Sequence, residues 1–357
     1  MIRKYDVLVV GAGPAGSAAA HVAATMGAKV LVVDRRETIG VPVRCAEYIP
    51  RRLLGELPFG ERSFISQAVD RMITFLPNGD TKETKAPGVM IQRDRFDQLL
   101  ADAAREAGAE VRTGLRALGI QDGAVVLRVS DGCYWKVRAA VIVGADGPHS
   151  TVGRWIGIRA QRLMAAIQVQ VNLTRPIGHT EVYFHPRIYG GYGWLFPKGD
   201  RANVGIGVVR KTSHDGLRET LEWFVERLRQ EGKIEGGVKK LTSGWIPVAP
   251  VGAAVRNNVL LVGDAAGQCH PITGSGVPQA VICGKMAGQA AALAAMEGNL
   301  EGLEHYEAQW QDDYGDSLRW AYERRKILES SWDRLGELLP YCWVAYREYY
   351  GPIGSQT

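Results

Sequence analysis

The chain is poor in the features that mark several large classes of protein. Its five cysteines, at 45, 133, 269, 283 and 342, are odd in number and never spaced CxxC. That speaks against a disulfide framework, a zinc site or an iron–sulfur cluster, and points to a reducing compartment. The histidines are scattered with no HExxH, so no metal is expected, and without GxSxG a hydrolase triad has nothing to rest on. Lys and Arg exceed Asp and Glu by only 43 to 38 and form no stripe, so nucleic acid is not an expected partner, whereas anionic cofactors are compatible with the charge. No internal repeat or low-complexity linker occurs. Ala265 to Gly284 has no Asp, Glu, Lys or Arg, which imitates a membrane span. His270, Gln268, Gln279, two prolines and several glycines inside it favour a buried loop and helix. The basic, apolar start imitates a signal peptide, but Asp6 and the glycine spacing favour an uncleaved first strand, and a cytoplasmic location is expected.

What is present suits a folded chain with two domains: 357 residues, 46% hydrophobic and 23% charged. "YDVLVVGAGPAGSAAAHVAATMGAKVLVVDRR" reads as strand, glycine turn, alanine-rich helix and second strand, a βαβ unit. Gly11 permits the tight turn, Gly13 lets a pyrophosphate approach the backbone, and Gly16 lets the helix sit close on the strand. The helix start beyond them, with Ala15 in its first turn, offers unpaired N–H groups to phosphate. Asp34, at the end of the second strand, is placed to accept ribose hydroxyls, with Arg35 and Arg36 beside it. The motif alone does not separate FAD from NAD.

Two distant segments do. "AAVIVGADGPHSTVGRWIG" runs from a strand into Asp146 and Gly147, and "NNVLLVGDAAGQCHPITGSGVPQAVICGKMAGQAAALAA" runs from a strand through Asp264 into a small-residue helix. Together the three segments resemble the p-hydroxybenzoate hydroxylase-like FAD superfamily, in which they meet around one flavin. The resemblance implies that Asp264 binds the ribityl chain and that Asp146 and Gly147 lie near the pyrophosphate. A helix or turn cap is the plainer alternative for either Asp. Gly274 and Gly276 lead into a helix expected from Val277, whose N–H groups would meet the flavin pyrimidine edge. Arg93, ahead of a helix expected from Phe96 to Gly108, and Ala117 match cofactor-contacting positions of relatives.

"GGYGWLFPKGD" sets Tyr192, Trp194 and Phe196 two apart, so in a strand the three rings share one wall, and Pro197 is expected to end that strand. This stretch resembles the YxWxFPK signature of the geranylgeranyl reductase family, flavoproteins that saturate polyprenyl double bonds. "PVRCAEY" resembles that family's cysteine motif, although relatives commonly read Cys-Gly-Glu where this chain reads Cys45-Ala46-Glu47. The resemblance implies a wall facing isoalloxazine and an apolar chain, with Lys198 reaching an anionic group or water. It makes Cys45 a candidate proton donor, with Glu47 and Tyr48 as alternatives. Arg44, Cys45 and Glu47 are also candidate cofactor contacts.

The fold expected is α/β with an α+β substrate part. A Rossmann-like FAD-binding domain covers 1–159, with a substrate-side insertion near 45–85, and resumes over 248–300. A sheet-and-helix substrate domain covers 160–247, and a helical segment 301–357. Strands are read in "MAAIQVQVNL", "TEVYFHP" and "ANVGIGVV", then an amphipathic helix capped by Ser213 or Asp215. Tyr306, Trp310, Tyr314 and Leu318 recur at helical spacing in a C-terminus that either closes the cavity or rests on a membrane surface as a peripheral contact. The function implied is an FAD-dependent reductase acting on an isoprenoid or similar apolar substrate. Electrons would come from NAD(P)H or from a donor protein such as reduced ferredoxin. A flavin monooxygenase or halogenase, or a non-catalytic electron carrier, is the alternative.

Overall fold

The computed structural model describes residues 2–158, 162–209 and 216–351. The apolar run Ile2–Val10 is the centre of a parallel sheet, with Val30–Val33 and Glu110–Arg112 to one side and Tyr134–Gly144 and Val259–Leu261 to the other. Val30–Val33 and Val259–Leu261 are buried throughout, as strands covered on both faces must be. The register levels the carboxyl ends: Val10 lies opposite both Val33 and Gly144, and Gly144 opposite Leu261. The chain leaves the central strand toward Val30–Val33 and later returns to its other side. The crevice beyond Val10 and Gly144 is therefore where strand order reverses, the place where open α/β sheets take ligands. A hairpin of Leu115–Gln121 and Ala124–Val129 adds to Tyr134–Gly144.

Two helices of small residues pack beside this rim. Pro14–Thr25 buries six alanines with Gly16 and Ser17, and Val277–Glu297, starting where expected, lies against it. A Cβ at Gly284 would stand 2.5 Å from the Ala15 carbonyl oxygen, and one at Gly288 2.2 Å from that of Ala19, so the approach admits glycine only. The uncharged stretch from 265 to 284 becomes a turn, a loop and the start of this helix. Among the described residues no helix is long and apolar enough to cross a membrane.

The second sheet runs in the order Ile234–Pro247, Leu163–Leu173, Arg201–Val208, Tyr192–Lys198, Thr180–Tyr183, Ile65–Phe75, Thr81–Ile91 and Tyr48–Pro50. Its last three strands come from the segment between the glycine turn and the helix Arg93–Glu106, so this sheet is assembled from two distant stretches of chain. One face, through Val169, Leu195, Val204 and Ile206, buries against the helix Leu217–Gln230. The cap residues expected for that helix, Ser213 and Asp215, lie outside the described residues; Gly216 occupies the N-cap. Pro197 does not end its strand, which continues to Lys198. Thr180–Tyr183 pairs only as far as Leu195, so the missing N–H faces no partner on that side.

The C-terminal segment lies across both sheets. Tyr306, Trp310 and Leu318 join the core of the first, with a π-helical turn at Gln311–Gly315 between two helices. Trp332, Leu335, Leu339, Trp343 and Tyr349 pack with Val182 and Phe184 of the second. This packing covers apolar side chains of both sheets.

Candidate active site

The glycine turn is built as its spacing implies. Gly11 adopts φ +107°, and a Cβ there would lie 2.3 Å from the Ala145 carbonyl oxygen, so the first turn rests directly on the one carrying Asp146. A Cβ at Gly16 would meet the Gly11 carbonyl oxygen at 1.9 Å. Gly13 differs from both, because nothing in the protein lies within 4 Å of its would-be Cβ. Its openness serves no internal packing and fits a group approaching the backbone from outside. Asp34 accepts from the Ala12 N–H at 2.9 Å and the Arg36 N–H at 2.8 Å, which ties the acid to the turn and leaves carboxylate lone pairs for hydroxyl donors. Arg35 is exposed, whereas Arg36 is partly buried near Arg44, Asp34 and Asp97, and burial lowers its pKa. Arg36, not Arg35, is therefore the inward-facing cation of the pair.

Asp146 braces the start of the short helix Thr151–Trp155, whose N-cap is Ser150. Its carboxylate accepts from the Ser150 hydroxyl at 2.5 Å and from the Thr151 and Val152 N–H groups at 2.6 and 3.2 Å. Its contribution to the rim is to set Gly147, at φ +84° with open space beside it, next to the Gly11 turn. Asp264 behaves otherwise: among the described residues its carboxylate has no hydrogen-bond donor, and burial, partly countered by Arg93, pushes its pKa up to about 6. Gly276 leaves it room, since a Cβ there would be 3.2 Å from Asp264 Oδ1. An unsatisfied carboxylate beside an open glycine backbone matches the polyol and pyrophosphate of FAD in donor and acceptor character. Gly274, at φ +65°, turns the loop into the helix starting at Val277, where Pro278 occupies the first turn. Ala15 packs its side chain toward Gly263 and Ala117 is buried in its strand, so each can reach a ligand only through its backbone.

The turn Cys45-Ala46-Glu47 joins the two sheets. Glu47 sits at φ +72°, is buried, and has both carboxylate oxygens occupied. Oε1 accepts from the Arg93 N–H at 2.9 Å; Oε2 accepts from Lys198 Nζ at 2.7 Å and Asn203 Nδ2 at 2.8 Å. Glu47 thereby satisfies an orphan N–H at the start of Arg93–Glu106, which explains why that helix begins three residues before the expected Phe96. Three donors therefore occupy the Glu47 carboxylate, and Lys198 directs its ammonium to it. Arg93 is also held: burial disfavours its charge, but the two-pronged contact with Asp97 at 2.9 and 3.1 Å, with Cys45 nearby, more than offsets this and raises its pKa. Tyr48 donates its hydroxyl to the Ala86 carbonyl at 3.3 Å, and burial raises its pKa.

The aromatic row forms one wall. Tyr192 and Trp194 meet edge to face at 6.1 Å, and Phe196 meets Tyr48 at 6.2 Å. Trp194 lies flat across the sheet because its neighbour is Gly205, where a Cβ would be 2.3 Å from the indole. Its Nε1 donates to Gln168 Oε1 at 3.3 Å, while Gln168 Nε2 donates to the Cys45 carbonyl at 2.8 Å. Tyr192 donates its hydroxyl to the Thr273 carbonyl, so the wall ends on the loop that precedes Gly274. Trp343 covers Tyr192 at 5.4 Å. Gln168, Asn203 and Asp97 belong to this site and were not singled out from sequence, and Arg36 was read there only as a neighbour of Asp34. For the first two the available signal is a polar residue inside an otherwise apolar strand.

This arrangement is that of an FAD-binding oxidoreductase, and the FAD binding domain family matches residues 4–310. A digeranylgeranylglycerophospholipid reductase of Methanopyrus kandleri is 38% identical over 344 residues, covering 91% of each chain. One from Methanocaldococcus jannaschii is 35% identical over 92% of this chain and 88% of its own. A geranylgeranyl bacteriochlorophyll reductase-like protein of Thermoplasma acidophilum superposes with TM-score 0.84 at 30% identity, covering 94% of this chain and 92% of its own. The chain belongs to the geranylgeranyl reductase family of FAD-dependent oxidoreductases. A flavin-dependent brominase superposes at TM-score 0.73 with 17% identity over 94% of this chain and 90% of its own, a likeness of fold alone.

Proposed function

We propose that this reductase saturates carbon–carbon double bonds in the isoprenoid chains of a glycerophospholipid, with Cys45 as the proton donor. The reading rests on one observation above the others: Gln168 links the Cys45 carbonyl to the Trp194 indole, so the thiol-bearing turn and the aromatic wall are parts of a single unit. The Gly11–Gly16 turn, Asp34, Asp264 and the helix starts at Pro14 and Val277 are the groups suited to hold FAD. When bound in its reduced form, FAD supplies a hydride to one carbon of the double bond. The chain's own part is to keep a flat apolar substrate against Tyr192, Trp194 and Phe196, exclude water, and protonate the adjacent carbon. Cys45 then passes its S–H proton to that carbon, leaving a thiolate near the Arg93 guanidinium that regains a proton from solvent. Electrons enter from NAD(P)H or from reduced ferredoxin.

Mass spectrometry of anaerobic reactions with an unsaturated archaeal-type phospholipid, using each donor in turn, tests the reading. Products gaining two hydrogens per bond without oxygen are expected; a strict oxygen requirement would instead favour a monooxygenase or halogenase. Cys45→Ser should lower turnover by roughly 10²-fold or more at full FAD occupancy, the usual range for losing a general acid. Tyr48→Phe should leave it nearly unchanged. Full activity in Cys45→Ser would remove the thiol from the mechanism.

A further inference from the structure

The family resemblance makes the signature lysine a substrate contact, but its surroundings point elsewhere. Lys198 Nζ lies 2.7 Å from Glu47, both side chains are largely buried, and Asn203 donates to the same carboxylate oxygen and to the Ala46 carbonyl at 3.2 Å. Glu47 holds a left-handed backbone conformation that residues with side chains rarely adopt. The Glu47 carbonyl accepts from the Ile91 N–H at 2.8 Å, and the Glu47 N–H points at Cys45 Sγ at 3.2 Å. The carbonyls of Cys45, Ala46 and Glu47 and the Glu47 carboxylate are thus held from the second sheet or from the start of Arg93–Glu106, while the Glu47 N–H meets the thiol two positions back. A polar pocket of about 510 Å³ is lined by Glu47, Lys198, Asn203, Gln168, Arg201 and Lys240.

We infer that Lys198 and Asn203 are positioning residues that clamp Glu47 in its left-handed conformation and so fix the direction of the Cys45 thiol. The inference deepens the proposed function and rests on its assignment of Cys45 as proton donor. Its geometric half, that the clamp sets the environment of the thiol, can be tested without turnover.

The test uses FAD-loaded protein carrying Cys133→Ser, which removes the exposed thiol. Lys198→Met, Asn203→Leu and Lys198→Arg are compared by the pH profile of Cys45 alkylation, located by peptide mass mapping, and by kcat and KM for the phospholipid. Lys198→Met and Asn203→Leu should displace the alkylation profile and lower kcat by about tenfold or more, with KM within about twofold of the parent, the pattern of a lost transition-state arrangement. Lys198→Arg should restore most of both. If Lys198→Met alone fails to load FAD, the pair Glu47→Gln with Lys198→Met, which leaves no buried charge unpaired, is read by the same assays. A parental alkylation profile and kcat in the loaded variants would overturn the inference. So would a raised KM with kcat unchanged, which would return Lys198 to the substrate. Should Cys45→Ser retain turnover while Lys198→Met still displaces the alkylation profile, the donor assignment fails and the clamp stands.

Discussion

At Asp264 burial works against the charged form of a carboxylate. In the unfolded chain its carboxyl titrates near 4, and in the folded chain burial pushes it up to about 6. A raised folded-state pKa stabilises fully below the unfolded value, and that contribution is lost as pH rises through about 6. Donors of a ribityl chain bound at Asp264, as proposed, would favour the ionised form and oppose the shift. FAD affinity should therefore increase with pH up to about 6 and level off above it, as fluorescence titration of apoprotein would register. Asp264→Asn should flatten that profile, raise the melting temperature of the apoprotein at pH 7, and weaken FAD binding by roughly ten- to a hundredfold, since hydrogen bonds to charged groups contribute about 1.5–3 kcal/mol. Unchanged affinity in Asp264→Asn would place the ribityl chain elsewhere. The two other acids of the flavin motifs were equally visible in sequence, and each has donors within the protein, Asp146 at the start of Thr151–Trp155 and Asp34 in the glycine turn.

At the scale of elements, the glycines divide into those pressed against the protein's own backbone and those with open space beside them. Gly288 has the Ala19 carbonyl oxygen where a Cβ would stand, at 2.2 Å, and Gly13 has nothing within 4 Å. Gly288→Ala should force the helices Pro14–Thr25 and Val277–Glu297 apart and destabilise the protein by about 1–3 kcal/mol, as overpacking does. Gly13→Ala should keep the melting temperature of the apoprotein close to the parent while weakening FAD binding. Differential scanning calorimetry paired with flavin titration separates the two, and equal effects on both measurements would contradict the division. The glycine spacing announced the turn, but that Gly11 answers to Ala145, and Gly288 to Ala19 from a helix 269 positions away, is set by remote stretches of chain. Likewise the start of Arg93–Glu106 is set by Glu47 from another element, which no local pattern encodes.

The molecule as a whole is closed by its C-terminal segment. Trp343 is buried against Phe184 at 5.0 Å and Tyr192 at 5.4 Å, and its Nε1 donates to Thr74 Oγ1 at 3.0 Å. One residue thus bridges the late helices, the aromatic wall and an early strand. Trp343→Ala should destabilise the protein by about 3–5 kcal/mol and raise KM more for long-chain than for truncated isoprenoid substrates, because the outer face of the wall loses its cover. Thermal melts and a chain-length series measure both; an equal KM change across the series would show that the cover does not line the substrate path.

The amino-acid order by itself determined the βαβ start, the places of the three flavin turns, the shared face of Tyr192, Trp194 and Phe196, and the family, because each depends on contacts or periodicity within a few residues. Only the tertiary structure decided that strands before Arg93 complete the second sheet, that Lys198 pairs with Glu47, that Asp146 accepts from the start of Thr151–Trp155, and that among the described residues the Asp264 carboxylate has no donor. These outcomes hinge on which groups from remote stretches of chain compete for one hydrogen bond or one volume, and that competition exists only once the chain has closed on itself.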